Sequence, residues 1–117
     1  MLINCVAYQD GRKLADIAVE DIDRFILQPG CFVWVALRDA SDAELRQMQR
    51  EFDLHELAVE DASHGHQRPK VEEYGHTLFV VMKLPELREG ELENGEVAIF
   101  VGENFVLSVR NNSQQGF

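Results

Sequence analysis

The sequence predicts an α/β domain: a mixed β-sheet with helices packed on it, ending in an antiparallel meander. Three observations carry this. Short apolar segments rich in β-branched and aromatic residues occur in both halves of the chain. Stretches at helical spacing interrupt them in the first half, and beyond Lys70 the pattern is strand after strand. The 117 residues fit one domain, which can bury about two-thirds of its unfolded surface.

Leu2 to Tyr8 reads as a strand, Asp10-Gly11 as a turn, and Lys13 to Ala18 as the returning strand, with Ala15, Ile17 and Val19 on one face. From Glu20 to Gln28 the period changes: Ile22, Phe25 and Ile26 share a helical face, and Pro29-Gly30 stops the helix. Cys31 to Leu37 is an unbroken apolar run, too short for a typical helix, and predicts a strand buried on both faces. Ser41 with Glu44 forms a capping box, and Leu45, Met48 and Phe52 line the helix that follows. After a break at Asp53, Leu54 to Ala62 predicts a second short helix.

Ser63 to Pro69 reads as a polar loop and Lys70 to Tyr74 as a short strand with Val71 inward. Thr77 to Leu84 is a stronger strand, and Arg88 to Gly95 an acidic connection. Val97 to Val101 and Phe105 to Val109 are strands joined through Gly102-Glu103-Asn104. The domain is expected over residues 1–110, with 111–117 as a frayed tail.

The net charge of −10 argues against nucleic acid and against an anionic membrane surface, because both need a basic patch. An acidic surface concentrates cations instead. Cys5 and Cys31 lie in apolar runs and match no ligand spacing, which suits a reducing compartment. Asn4 and Gln9-Asp10 interrupt any apolar opening of signal-peptide type, and no segment has the length to span a bilayer.

Generic enzyme templates fail. None of Ser41, Ser63, Ser108 and Ser113 sits in a Gly-x-Ser-x-Gly elbow, and there is no phosphate-cradling glycine loop or dinucleotide fingerprint. The expectation is a protein that is not an enzyme. His64 and His66 flank Gly65, but no further histidine or cysteine completes a tetrahedral set by spacing.

The carboxylates of the second helix are more informative. At about 100° per residue, Leu54, Leu57, Ala58 and Ala62 form an apolar arc, with Glu56 and Glu60 on the opposite face. Asp61 falls inside the arc, near a helix C-terminus where the macrodipole disfavours negative charge. Such a carboxylate needs compensation. A salt bridge with Arg68 or Lys70, or backbone amides, would supply it; so would a hard divalent ion or a partner subunit. The residues leave both open.

Phe32-Val33-Trp34-Val35, Leu54 to Asp61 (Leu-His-Glu-Leu-Ala-Val-Glu-Asp) and above all His66-Gln67-Arg68-Pro69-Lys70-Val71-Glu72 resemble the CorA magnesium and cobalt transporters. Gly95 to Val101 with Asn104 to Arg110 resembles the terminal hairpin of the same domain. The similarity runs from about Phe32 to Arg110.

The resemblance implies an α/β/α sandwich on the cytoplasmic face of the inner membrane, within a homopentameric channel whose stalk and two membrane helices follow. It implies that Asp61 forms part of a divalent-ion site between neighbouring subunits, with Glu60 beside it and the partner carboxylate on the stalk. An Asp61 facing inward and unpaired would suit that role. The loop His66, Gln67, Arg68, Pro69 and Lys70 would be structural, with Arg68 and Lys70 orienting it. Bound Mg²⁺ would favour the closed channel.

The stalk, the pore and its Gly-Met-Asn signature are not in these 117 residues, so the native polypeptide is expected to continue. One half-site predicts weak Mg²⁺ binding by this chain, about millimolar or weaker. Co²⁺ is the family's other ion. His64, His66 and His76 leave Zn²⁺ open, as in the family's zinc-transporting branch. A free-standing acidic interaction module is the reading from a different class.

Overall fold

The computed structural model describes residues 1–64 and 68–111, the side chain of Arg88 excepted. Among the described residues seven strands form one sheet: β1 (Leu2–Gln9), β2 (Arg12–Asp16), β3 (Cys31–Arg38), β4 (Lys70–Tyr74), β5 (Thr77–Arg88), β6 (Glu91–Val101) and β7 (Phe105–Asn111). The spatial order is β2-β1-β3-β7-β6-β5-β4. Only β3 and β7 run parallel; every other neighbouring pair is antiparallel. The mixed sheet with helices and the closing meander β4-β5-β6-β7 are therefore as expected.

Among the described residues three α-helices lie between strands in sequence: α1 (Ile22–Ile26), α2 (Asp42–Phe52) and α3 (Glu56–His64). Their buried residues join one core with Cys5 and Ala7 of β1, Val33, Val35 and Leu37 of β3, and Phe105, Leu107 and Val109 of β7. Pleating puts alternate residues on one face, and the ladder aligns Val33 with Phe105 and Val35 with Leu107, so all three helices cover the same side. Two aromatic pairs fix this layer: Phe52 stacks on Phe105 at 4.2 Å between ring centroids, and Phe79 meets Phe100 at 4.8 Å.

On the opposite side of the sheet, Tyr8, Phe32, Trp34 and Val106 are only partly buried and, with Gly11 and Ser108, line a hollow of about 470 Å³. This corrects the expectation that β3 is buried on both faces. Val33, Val35 and Leu37 are sealed by the helices, whereas Phe32 and Trp34 face a side that no helix among the described residues covers.

Local signals hold where they are short-range. Asp10 and Gly11 both have positive φ, the geometry of a tight hairpin turn. The capping box at α2 is complete: Ser41 Oγ accepts from the Glu44 amide at 3.1 Å, and Glu44 Oε1 accepts from the Ser41 amide at 2.9 Å. Asp53 ends α2 in the left-handed conformation, φ 51°. The segment expected as one helix from Glu20 divides into a 3-10 turn, Val19–Asp21, and α1. There Ile22 is fully buried, and Asn104 Nδ2 donates to the Ile26 carbonyl at 2.7 Å.

The acidic connection expected from Arg88 to Gly95 is instead strand. β5 and β6 pair in register from Leu78↔Val101 out to Arg88↔Glu91, turning at Glu89-Gly90. Among the described residues the outer part is a two-stranded ribbon, since β7 reaches only Glu96 and β4 only Val81. These residues pair with Leu84 to Arg88, and the ladder continues outward from the apolar pairing of Thr77 to Leu84 against their own propensity. Asn111 closes β7, and the remainder of the expected tail, 112–117, lies outside the described residues.

Candidate functional site

The candidate residues gather around α3 and the edge strand β4. After α2, the Leu54 amide donates to the Gln49 carbonyl at 3.2 Å, which turns the chain back toward the sheet. His55 opens α3: its Nδ1 accepts from the Leu57 amide at 3.1 Å, satisfying one of the helix's unpaired N–H groups. The same ring stacks on Tyr74 of β4 at 4.4 Å.

α3 buries Ala58, Val59 and Ala62. Two small residues a turn apart let the helix lie close to the sheet, and Val59 rather than Leu57 completes the buried arc. Leu57 is 57% exposed, which corrects the predicted arc. This roll moves Asp61 from the middle of the arc to its rim, where it is half-buried beside β4.

Asp61 is also paired. Lys70 Nζ lies 2.6 Å from Asp61 Oδ2 and 2.7 Å from Glu72 Oε1, so two carboxylates converge on one ammonium. Tyr74 Oη donates to Glu72 Oε2 at 3.0 Å, and Lys70 Nζ stands 5.8 Å over the Phe79 ring. Hydrogen bonds to Asp61 and then Glu72 push the Lys70 pKa above its ordinary value. The Lys70 bond, followed by that from Tyr74, lowers Glu72. Burial, then the bond to Glu72, raises Tyr74. An inward, unpaired Asp61 is therefore corrected: of the compensations the sequence left open, the Lys70 salt bridge is made.

The register of β4 explains the cluster. Lys70, Glu72 and Tyr74 alternate on the helix side, while Val71 is 67% exposed on the other. The expectation of Val71 inward is off by one residue, and in a strand one residue reverses every side chain. Glu72 and Tyr74 were the members sequence reasoning missed; the alternation of Lys-Val-Glu-Glu-Tyr contains them once the face is known.

Glu60 does not join Asp61. It is exposed and, with Arg46, Gln49, Glu56, Ser63 and His64, lines a polar groove of about 280 Å³ between α2 and α3. Consecutive helical residues diverge by about 100°, which sends the two carboxylates to different sides. Arg68 and Pro69 are exposed at the entry to β4. Gly65, His66 and Gln67 lie outside the described residues. Among the described residues no group of three or more His, Cys, Asp or Glu side chains is placed to hold a metal ion, and no helix is long and apolar enough to cross a membrane.

Residues 30–116 match the family model of the CorA-like Mg²⁺ transporter protein. The chain belongs to the CorA family. Over 118 aligned positions, which take in 98% of the CorA-family chain, it is 32% identical to YfjQ of Bacillus subtilis (strain 168). Over 77 positions, 63% of the chain, it is 32% identical to the cobalt/magnesium transport protein CorA of Thermotoga maritima. The chain spans only 35% and 22% of the lengths of these two relatives.

The fold agrees. The complete CorA magnesium transporter from Methanocaldococcus jannaschii superposes with a TM-score of 0.67 at 16% identity, over 97% of this chain and 34% of that one. Its soluble domain gives 0.61 at 20% identity, over 96% and 43%. Full-length CmaX gives 0.70 at 17% identity, over 96% and 35%.

Proposed function

We propose that the chain is the metal-sensing regulatory domain of a divalent-cation transporter for Mg²⁺ and Co²⁺, lying on the cytoplasmic face of the membrane. The observation that carries this is the family match over residues 30–116. In the assembled protein, a homopentamer, Asp61 is one half of a Mg²⁺ site between neighbouring subunits, while Glu60 faces the separate α2–α3 groove and is not a ligand beside it.

The donor chemistry fits. Asp61 offers carboxylate oxygen, the ligand type Mg²⁺ prefers, from a rim position that a neighbour can approach. Mg²⁺ retains several waters and needs few protein ligands, so a site divided between two chains is chemically reasonable. An ion bound better in the closed assembly shifts the population toward closure.

The test uses the longer transporter carrying this domain, reconstituted in vesicles with an internal Mg²⁺ indicator. Asp61→Asn is expected to sustain influx at internal Mg²⁺ concentrations that shut the unmodified protein. Shut-off at the same concentration in both would remove Asp61 from sensing. Failure of the unmodified protein to carry Mg²⁺ or Co²⁺ would remove the transporter reading, and flux of Zn²⁺ alone would reassign the ion.

A further inference from the structure

We propose that Lys70 is a tethered competitor for the divalent ion at Asp61, setting how much of that ion the domain needs before it responds. This rests on the reading of Asp61 as a metal-binding carboxylate.

One oxygen of Asp61, Oδ2, already holds a cation, the Lys70 ammonium, at 2.6 Å. A metal ion approaching Oδ2 meets the Lys70 ammonium there and must displace it. Because the lysine is part of the same chain, its local concentration is fixed and does not fall on dilution. The apparent divalent affinity is therefore the intrinsic one reduced by the strength of the ion pair.

The surroundings keep Lys70 from being lost once displaced. Glu72 Oε1 holds the same nitrogen at 2.7 Å, and Tyr74 Oη anchors Glu72 through its other oxygen. Lys70 can thus release Asp61 and remain charged against Glu72, ready to return. Its ammonium also lies 5.8 Å over the Phe79 ring, which restrains the stem.

The exchange discriminates by valence. A monovalent ion offers Asp61 no more charge than the lysine does and lacks the tether, whereas a divalent ion offers twice the charge. Displacement is therefore expected with Mg²⁺ and not with K⁺.

The experiment is an NMR titration of the 117-residue chain with MgCl₂ at constant ionic strength, following the amides of Asp61 and Lys70. Lys70→Met is expected to tighten Mg²⁺ binding about fivefold, the factor that corresponds to a partly exposed ion pair. Lys13→Met makes the same charge change at an exposed lysine on β2 and is expected to leave affinity within about twofold of the starting value. Adding Asp61→Asn to Lys70→Met should abolish the gain. Lys70→Gln provides the same comparison if the methionine variant is poorly folded.

Equal or weaker Mg²⁺ binding by the Lys70 variants, with Asp61→Asn alone still eliminating binding, would overturn the competition while leaving Asp61 a ligand. No effect of Asp61→Asn in either background would overturn both. A KCl titration that displaced Lys70 as readily as MgCl₂ would also overturn the proposal.

Discussion

Gly102 is the position where one added carbon tests the packing most directly. It precedes β7, and its amide donates to the Phe105 carbonyl at 2.9 Å, closing the β6–β7 turn. A Cβ built on Gly102 falls onto the Phe105 ring itself. That ring is 5% exposed and stacked nearly parallel on Phe52, with 10° between planes.

Gly102→Ala must therefore displace a rigid aromatic from the contact that ties α2 to β7. Overpacking of a core costs about 1–3 kcal/mol. Disturbing an aromatic pair adds about 0.5–1.5 kcal/mol. The expected loss is about 2–4 kcal/mol, read by urea unfolding with Trp34 fluorescence as the probe and unchanged denaturant dependence. Phe105→Leu removes the obstructing ring, so the double variant should lose clearly less than the sum of the singles. A Gly102→Ala loss below about 0.5 kcal/mol, or strict additivity, would refute the clash and with it the described seating of Phe105.

Three further outcomes are expected. His55→Ala removes both the bond to the Leu57 amide and the stack on Tyr74, and should destabilise by about 1 kcal/mol in the same urea assay. Val71→Thr should change stability by less than about 0.5 kcal/mol because the side chain is exposed, whereas Tyr74→Ala should be clearly destabilising; the reverse order would mean that β4 is shifted by one residue. Burial, with smaller help from Glu20 and Glu51, raises the Cys5 thiol to about 11. The folded state therefore keeps its proton where the unfolded chain has lost it, so stability declines as pH rises from about 9 to about 11. Cys5→Ala should remove the part of the decline that begins near pH 9, measured as the urea midpoint against pH, and leave the later part contributed by the raised Tyr74 and Lys70 groups.

Short-range signals settled much of this protein in advance. The Asp10-Gly11 turn, the Ser41–Glu44 capping box, the stop at Asp53 and the β6–β7 hairpin each depend on neighbours a few residues apart. The family was legible for a different reason: Leu54 to Asp61 and His66 to Glu72 stand in a specific order and spacing.

Tertiary packing decided the rest. Whether α3 turned Leu57 or Val59 inward depended on how closely Ala58 and Ala62 could approach the sheet, and hydrophobic periodicity over nine residues does not distinguish a roll of part of a turn. The face of β4 depended on its register with β5, where one residue exchanges Val71 for Lys70 and Glu72. The polar segment from Arg88 to Gly95 became ribbon because β5 and β6 pair along their whole length. From those three packing choices comes the arrangement that matters for function: Asp61 at the rim of α3, held by Lys70 from the edge strand, with Glu60 turned away. Residue order fixed which charged groups were available, and only the packing of α3 against β4 could determine which carboxylates share the one ammonium between them.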